Sequence, residues 1–242
     1  MTDFINELRY VFEKNELTRG LLNEEAGATL WKLYSHMVKV NEELNVTSIT
    51  DREGVILKHL LDSGAIVPYI PKGARLCDVG CGGGFPSLVI ATLREDVSIL
   101  ALDSVTKKVS YVLETAKMLS LENVQGTNRR AEELGSSDGR ESFDCVTARA
   151  VGRLNMLCEL CLPLLKVGGC FLAMKATDVE DELSEAQSAI NLLGGKVESV
   201  NKYTLSNGKE EIERAIIVIR KAEKTPEKYP RNSAQIKKKP IK

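Results

Sequence analysis

The feature that most constrains the fold is a short apolar strand that runs directly into a glycine-rich turn and then a helix. Residues 76–86 read Leu-Cys-Asp-Val-Gly-Cys-Gly-Gly-Gly-Phe-Pro. Glycine permits positive φ and lets a ligand approach the bare backbone, while Pro86 suits the first turn of a helix. The spacing is G-x-G-x-G, whereas dinucleotide-binding turns have G-x-G-x-x-G. The turn therefore favours a ligand site without a pyrophosphate cradle, and an α/β crossover with no ligand stays open.

An acidic residue strengthens the ligand interpretation. Asp103 ends the next apolar strand, roughly twenty residues after the turn, where a carboxylate accepts hydrogen bonds from a ribose diol. A glycine turn and an acid at this spacing predict a nucleoside pocket, with S-adenosylmethionine (SAM) as the candidate cofactor. Gly80, Gly82, Gly84 and Asp103 are the predicted cofactor-binding residues from this pattern.

From residue 73 onward, apolar runs of strand length alternate with helical patterns, which is typical of a parallel sheet with helices on both faces. The Asn207-Gly208 pair between the last two runs is a hairpin signal. The predicted fold is therefore α/β, a Rossmann-like SAM-dependent methyltransferase sheet of seven strands whose last hairpin is antiparallel. The predicted strands are 75–79, 98–102, 123–127, 143–148, 168–175, 196–204 and 212–220, and the predicted helices are 86–94, 105–119, 130–134, 153–165 and 178–193.

Residues 1–72 are predicted to form an N-terminal helical extension, because their apolar residues recur at helical spacing. Thr50 and Glu53 have the spacing of a capping box, which predicts a helix from there through Ile66. His59 and Asp62 lie three residues apart on one face of that helix. Such a pair is either a functional site or an incidental surface contact.

The predicted organisation is an extension (1–72), a SAM-dependent methyltransferase domain (73–221) and a basic tail (222–242). Residues 220–242 hold nine Lys or Arg against two Glu, in a chain of 242 residues with net charge −1. Such asymmetry indicates a polyanionic partner, and a solvated terminus explains the composition equally well. No signal peptide or membrane-spanning run is evident. The six cysteines fall mostly in apolar runs, as expected for reduced thiols in the cytoplasm.

Four further residues follow strands whose carboxyl ends should meet at one crevice. Ala131 and Glu132 follow the third strand, where they either contact an adenine edge or favour a helix N-terminus through its dipole. Arg149 ends the fourth strand and can orient a carboxylate or phosphate, although strand-end arginines are often only solvated. Lys175 ends the fifth strand and has the same two interpretations.

The pair Cys158 and Cys161 has metal-ligand spacing but lies in an apolar helical run. A structural zinc needs four ligands, and the chain has only two histidines, neither of them near this pair. Small buried side chains explain the pair better, so we predict no metal.

Nearly the whole chain resembles one family, the RsmG (GidB) family of bacterial 16S ribosomal RNA guanine-N7 methyltransferases. The matching blocks are Asn45-Val46-Thr47-Ser48-Ile49-Thr50, Lys58-His59-Leu60-Leu61-Asp62-Ser63, Asp78-Val79-Gly80 through Gly84-Phe85-Pro86-Ser87, Leu102-Asp103-Ser104, Arg130-Ala131-Glu132, Thr147-Ala148-Arg149-Ala150 and Leu172-Ala173-Met174-Lys175. The tail segment 225–231 is similar to the ending of some members.

This resemblance implies that Gly80, Phe85, Ala131, Glu132 and Arg149 bind SAM and that Asp103 contacts its ribose. It further implies a target guanine in the 530 loop of 16S rRNA, with the rRNA or the small ribosomal subunit as partner. On this basis Arg149, His59 and Lys175 are expected to position the acceptor base. Two alternatives are a SAM-dependent methyltransferase of a small molecule and a non-catalytic RNA-binding protein of ribosome assembly.

Overall fold

The computed structural model describes residues 1–149, 152–176 and 179–242, and these form a seven-stranded sheet with helices on both faces. Two positions named in the predictions lie outside the described residues. One is Ala150, the last residue of the block around Arg149. The other is residue 178, where the helix 178–193 is predicted to begin.

The strand order creates a crevice near the middle of the sheet. The order is β3-β2-β1-β4-β5-β7-β6, with β1 to β5 parallel and β7 antiparallel to both of its neighbours. The chain runs outward from β1 through β2 and β3, then crosses to the other side of β1 to form β4, so the carboxyl ends of β1 and β4 flank the switch point. The strands are β1 (Arg75–Val79), β2 (Ser98–Leu102), β3 (Val124–Thr127), β4 (Phe143–Arg149), β5 (Leu165–Lys175), β6 (Gly195–Ser206) and β7 (Glu211–Lys221).

The helices cover the sheet in two groups because successive strand residues face opposite sides. Leu76 and Leu172 share one core with α1, α2, α5 and α6, while Cys77 and Phe171 share the other core with α7, α8 and α9. The helices are α1 (Thr2–Lys14), α2 (Glu24–Leu44), α3 (Arg52–Val55), α4 (Asp62–Gly64), α5 (Ser87–Leu93), α6 (Thr106–Met118), α7 (Ala131–Gly135), α8 (Leu154–Cys161), α9 (Glu180–Leu192) and α10 (Ser233–Lys238), with a π-helix (Ile56–Leu61) joining α3 to α4.

The N-terminal segment packs directly onto the sheet. Leu8, Leu30 and Leu57 are fully buried and belong to the same core as Leu76 of β1. The segment therefore holds the π-helix, which carries His59, against the carboxyl end of the sheet. The division of the chain at residues 72 and 221 stays a prediction.

Two predicted helix ends are wrong. The helix predicted over 153–165 ends at Cys161, because Pro163 has no N–H for the α-helical ladder, and a 3₁₀ turn (Leu162–Leu164) leads into β5, which begins at Leu165 rather than 168. The helix predicted to begin at Thr50 is capped by the next residue, since the Asp51 carboxylate accepts a hydrogen bond from Gly54 N at 2.7 Å.

The predicted antiparallel hairpin is confirmed, and β6 and β7 are longer than predicted. Beyond β7, residues 222–242 turn back along the protein and form α10. Among the helices that the structure describes, none is long and apolar enough to cross a membrane.

Candidate active site

The glycine turn between β1 and α5 lies at the switch point of the sheet. Gly80, Gly82 and Gly84 have φ angles of 76°, 53° and 83°, in the region that glycine adopts without strain. The N–H groups of Gly80 and Cys81 both donate to the Leu102 carbonyl oxygen, at 2.7 and 3.0 Å. The turn is therefore fixed to the end of β2.

The glycines of this turn differ in what they face. A Cβ placed on Gly82 would find only the Gly80 carbonyl oxygen of the described chain nearby, at 3.8 Å. A Cβ on Gly84 would lie 2.5 Å from the Leu88 side chain. Gly82 thus leaves open space for a ligand, whereas Gly84 allows the turn to pack on α5, and its predicted contact with the cofactor has no support from its position.

Asp103 stands beside the turn at the end of β2. Its side chain accepts hydrogen bonds from Gly82 N (3.2 Å) and Val105 N (2.9 Å), and the Lys108 ammonium lies 3.7 Å from Oδ2. The residue is only 8% exposed. The backbone bonds fix the carboxylate at the edge of the crevice, which is where the sequence places a ribose partner.

Ala131 and Glu132 begin α7, directly after β3, and both are buried. The Glu132 Oε1 atom is buried and has no hydrogen-bond partner among the described residues. A buried carboxylate oxygen without a donor costs free energy. A ligand with an N–H group, such as the amino group of adenine, would satisfy it.

These elements line a cleft of about 450 Å³. Every residue predicted to bind the cofactor lines it except Gly84. The C-terminal helix α10, for which the sequence predicts no role at the cofactor, contributes to its wall. The lining residues are Val79, Gly80, Cys81, Gly82, Gly83, Phe85, Leu102, Asp103, Ser104, Lys108, Arg129, Arg130, Ala131, Glu132, Arg149, Met156, Leu160, Ser233, Ile236 and Lys237.

Phe85 and Arg149 of the cleft wall both contact His59. The Phe85 and His59 rings stack with centroids 4.5 Å apart, and the Arg149 guanidinium lies 5.8 Å from the Phe85 ring centre. Arg149 donates to the Lys58 carbonyl oxygen (2.9 Å) and to Asp62 Oδ2 (3.1 Å), and it contacts His59 Nδ1 at 3.3 Å. The end of β4 is thereby connected to the π-helix.

Burial and the neighbouring charge of Arg149 set the charge state of His59. Its Nδ1 atom lies 3.1 Å from the Lys58 carbonyl oxygen and 3.3 Å from the Arg149 guanidinium, and Nε2 shares a hydrogen bond of 2.7 Å with Thr47 Oγ1. Burial, together with the charge of Arg149, lowers the pKa of His59 to about 4. The imidazole is therefore neutral at neutral pH and is no proton donor of the imidazolium kind.

A second cavity of about 440 Å³ adjoins the cleft, and Arg149 lines both. The three residues predicted to position an acceptor, Arg149, His59 and Lys175, all line this cavity. The Lys175 ammonium pairs with Glu182 (2.6 Å) and donates to the Gly152 carbonyl oxygen (2.6 Å). The lining residues are Ile49, Lys58, His59, Asp62, Arg149, Met174, Lys175, Ala176 and Arg214. We call this space the acceptor cavity.

Asp62 and Arg214 are the cavity residues that sequence reasoning missed as site residues. The Asp62 carboxylate lies between Arg149 (3.1 Å) and Arg214 (3.2 Å) and its side chain is only 6% exposed. The helical spacing of His59 and Asp62 was a signal for one of them. Arg214 gave no signal, because only the antiparallel addition of β7 brings the start of that strand to the carboxyl end of β5.

Asp78 lies beneath the glycine turn and is 1% exposed. It accepts a short hydrogen bond from the Ser87 hydroxyl, and its other oxygen, Oδ1, has no partner among the described residues. Burial raises the pKa of Asp78 to about 6, although the Ser87 bond and the charge of Arg149 act in the opposite direction. Asp78 therefore carries a buried charge at neutral pH.

The cysteine pair of α8 does not belong to a metal-binding cluster in the part of the chain that the structure describes. Cys158 and Cys161 are fully buried in α8, and burial raises the pKa of both thiols. Within residues 1–149, 152–176 and 179–242, His, Cys, Asp and Glu side chains form no group of three or more that could hold a metal ion.

The cleft fits an adenosine-containing cofactor on the evidence of its own atoms. Gly82 leaves room at the turn, the Asp103 carboxylate is fixed beside it, and the unpaired Glu132 Oε1 needs a donor. SAM offers a ribose diol, an adenine amino group and a sulfonium methyl group. Gly80, Gly82, Asp103 and Glu132 are the residues that would hold it.

Comparison with known protein families gives a match over most of the chain. The sequence profile of the GidB family, described as rRNA small subunit methyltransferase G, matches residues 27–213. The ribosomal RNA small subunit methyltransferase G of Staphylococcus carnosus is 43% identical over 238 residues, which cover 97% of this chain and 98% of that protein. The protein of the same name from Bacillus velezensis is 46% identical over 211 residues, covering 86% of this chain and 87% of its own.

Solved structures share the fold at much lower identity. A precorrin-6y C5,15-methyltransferase from Geobacter metallireducens matches with a TM-score of 0.51 at 20% identity, covering 74% of this chain and 92% of its own. A SAM-dependent O-methyltransferase from Thermotoga maritima matches with a TM-score of 0.51 at 16% identity, covering 78% and 72%. The predicted Rossmann-like α/β sheet of SAM-dependent methyltransferases is therefore confirmed.

Proposed function

The chain belongs to the GidB family of rRNA small subunit methyltransferase G, and on this premise we propose that it transfers the methyl group of SAM to N7 of a guanine in the 530 loop of 16S rRNA. Family membership makes the chain a methyltransferase whose cofactor is SAM. The base, the loop and the roles of individual residues are the proposed part.

The observation that carries the proposal is the sharing of Arg149 by two adjacent spaces. The cofactor cleft and the acceptor cavity both have this guanidinium in their walls. A nucleoside donor on one side and a base on the other would meet beside Arg149 and Phe85. Catalysis of a direct transfer depends mainly on such alignment, with the reacting atoms about 3 Å apart.

The chemistry of N7 suits the groups around the acceptor cavity. N7 of guanine carries a lone pair and no proton, so it attacks a methyl carbon without a general base. Bound SAM, held by the cleft residues, would supply that carbon as a sulfonium methyl group, and the transfer would leave the electron pair of the broken S–C bond on sulfur and the positive charge on the base. Because no proton moves, the neutral His59 is assigned to positioning.

The polar side chains of the cavity match a nucleotide. Four cations line it, and three carboxylates pair with them, so the cluster keeps one net positive charge. The pairs are Lys58 with Glu210, Lys175 with Glu182, and both Arg149 and Arg214 with Asp62. Cations of this kind bind phosphate and base edges. N7 lies on the major-groove edge, which is inaccessible in an A-form helix, so the target must be unpaired or extruded.

The proposal is tested by mapping methylated bases in 16S rRNA. Small subunits from cells that lack this chain are incubated with the purified protein and methyl-labelled SAM. Label on N7 of a guanine in the 530 loop is expected. Label on another nucleotide, or on a small molecule without RNA, refutes the proposed target, and SAM binding without any transfer refutes the proposed activity on rRNA.

A further inference from the structure

The basic residues 222–242 do not extend away from the protein, although their charge predicts an arm for RNA. Two sets of hydrogen bonds, made by Lys221 and Arg140, turn this segment back toward the body of the protein. The Lys221 ammonium is fully buried, donating to the Leu162 carbonyl oxygen (2.6 Å) and, in a short contact, to Thr225 Oγ1. Arg140 donates to the carbonyl oxygens of Thr225 (2.6 Å) and Tyr229 (2.7 Å).

A buried ion pair fixes the next part of the segment. Arg231 donates to the Glu159 carboxylate through Nε (2.8 Å), Nη2 (2.5 Å) and its backbone N (2.9 Å), and the Glu159 side chain is only 1% exposed. Removing one partner of such an ion pair is strongly destabilising, because the other charge stays buried without compensation. Arg231 also donates to the Lys239 carbonyl oxygen at 2.9 Å, so the same side chain holds both ends of α10.

These anchors seat α10 against the cofactor cleft. Asn232 caps the helix by accepting from Gln235 N at 3.0 Å. Ile236, at 1% exposure, lines the cleft together with Met156 and Leu160 of α8. The flanking Gln235 is exposed and is not part of the cleft wall.

We propose that α10 is a component of the cofactor site, with Ile236 forming an apolar wall that covers bound SAM. The inference rests on the proposed function in one respect, which is that the cleft is the SAM site. Met156 and Leu160 of α8 offer apolar surface that an adenosine can bury, and Ile236 adds to it only when α10 is docked. Cofactor binding and docking of the C-terminal segment therefore stabilise each other.

Calorimetry with S-adenosylhomocysteine, the demethylated cofactor, tests the proposal on three variants. Deletion of residues 232–242 removes α10, together with the Ile241 carbonyl oxygen that accepts from Asn155, and keeps the pairing of Arg231 with Glu159. We expect this deletion to weaken affinity by about tenfold or more, and Ile236→Ala by about fivefold, from the apolar area lost. Gln235→Ala, the matched control on the exposed side of α10, should bind like the intact chain.

Limited tryptic digestion gives a second measurement that does not depend on activity. Cleavage after the lysines of α10 should slow when S-adenosylhomocysteine is added to the intact chain. Equal affinities for the intact and truncated chains, or cleavage at the same rate with and without the ligand, would overturn the proposal. If truncation weakens only RNA binding, the segment is an RNA arm as its charge predicts. Failure of the intact chain itself to bind S-adenosylhomocysteine would instead refute the cofactor and the proposed function.

Discussion

Replacing Asp103 by alanine removes the carboxylate that the structure fixes between the glycine turn and α6. This carboxylate accepts from Gly82 N at 3.2 Å and from Val105 N at 2.9 Å while the residue stays 8% exposed. The substitution therefore removes the predicted acceptor for the ribose diol and also loosens the turn. Asp103→Asn keeps an acceptor oxygen of similar reach, so it separates the loss of charge from the loss of the side chain.

The expected effect follows from the number of charged hydrogen bonds lost. One such bond contributes about 1.5–3 kcal/mol, so Asp103→Ala should weaken S-adenosylhomocysteine binding by about 10- to 150-fold, with Asp103→Asn between it and the parent. Lys108→Ala is the comparison within the cleft wall: its ammonium lies 3.7 Å from Asp103 and its side chain is 44% exposed, so its loss should cost less than about 1 kcal/mol. Calorimetry measures all three. An unchanged dissociation constant for Asp103→Ala, in a protein with unchanged Tm, would remove Asp103 from the site.

Four further predictions concern stability and activity. His59, with its pKa near 4 in the folded chain, should make stability fall by up to about 3 kcal/mol as pH drops from 6.5 to 4; urea unfolding of His59→Gln should lack this slope. Asp78, with its pKa raised to about 6, destabilises the folded chain when it is charged. Asp78→Asn should therefore raise the free energy of unfolding by up to about 3 kcal/mol at pH 8 and leave it unchanged near pH 4. Gly84→Ala should lower Tm more than Gly73→Ala, because both have positive φ but only Gly84 has a side chain 2.5 Å from the added Cβ; equal losses would contradict the packing argument. Arg149→Ala should reduce the rate of methyl transfer far more than the Tm, because Arg214 still pairs with Asp62, the carboxylate that Arg149 contacts. A large loss of Tm alongside the loss of activity would indicate a structural role.

The centre of the fold could be predicted because its signals are local. The strands at 75–79 and 98–102 and the positive φ angles of the glycine turn match the structure. Apolar alternation and glycine chemistry act within a few residues, so one sequence is enough to locate them. The predicted end of the helix over 153–165 is wrong for a local reason too. Pro163 signals a helix break, but the apolar run around it hides that signal.

What the sequence did not reveal depends on contacts between distant residues. Arg214 reaches Asp62 only because β7 inserts antiparallel between β5 and β6. The pairing of Arg231 with Glu159 directs a basic segment back onto the body, whereas its composition indicates only a polyanionic partner or a solvated terminus.

The most direct test of the account is a crystal structure of the chain with bound S-adenosylhomocysteine. Density is expected along the turn at Gly80 and Gly82, with the ribose hydroxyls within hydrogen-bond distance of Asp103, the adenine amino group at Glu132 and the sulfur directed toward the acceptor cavity at Arg149. Density at any other surface, or in the cleft with the ribose away from Asp103, would contradict it.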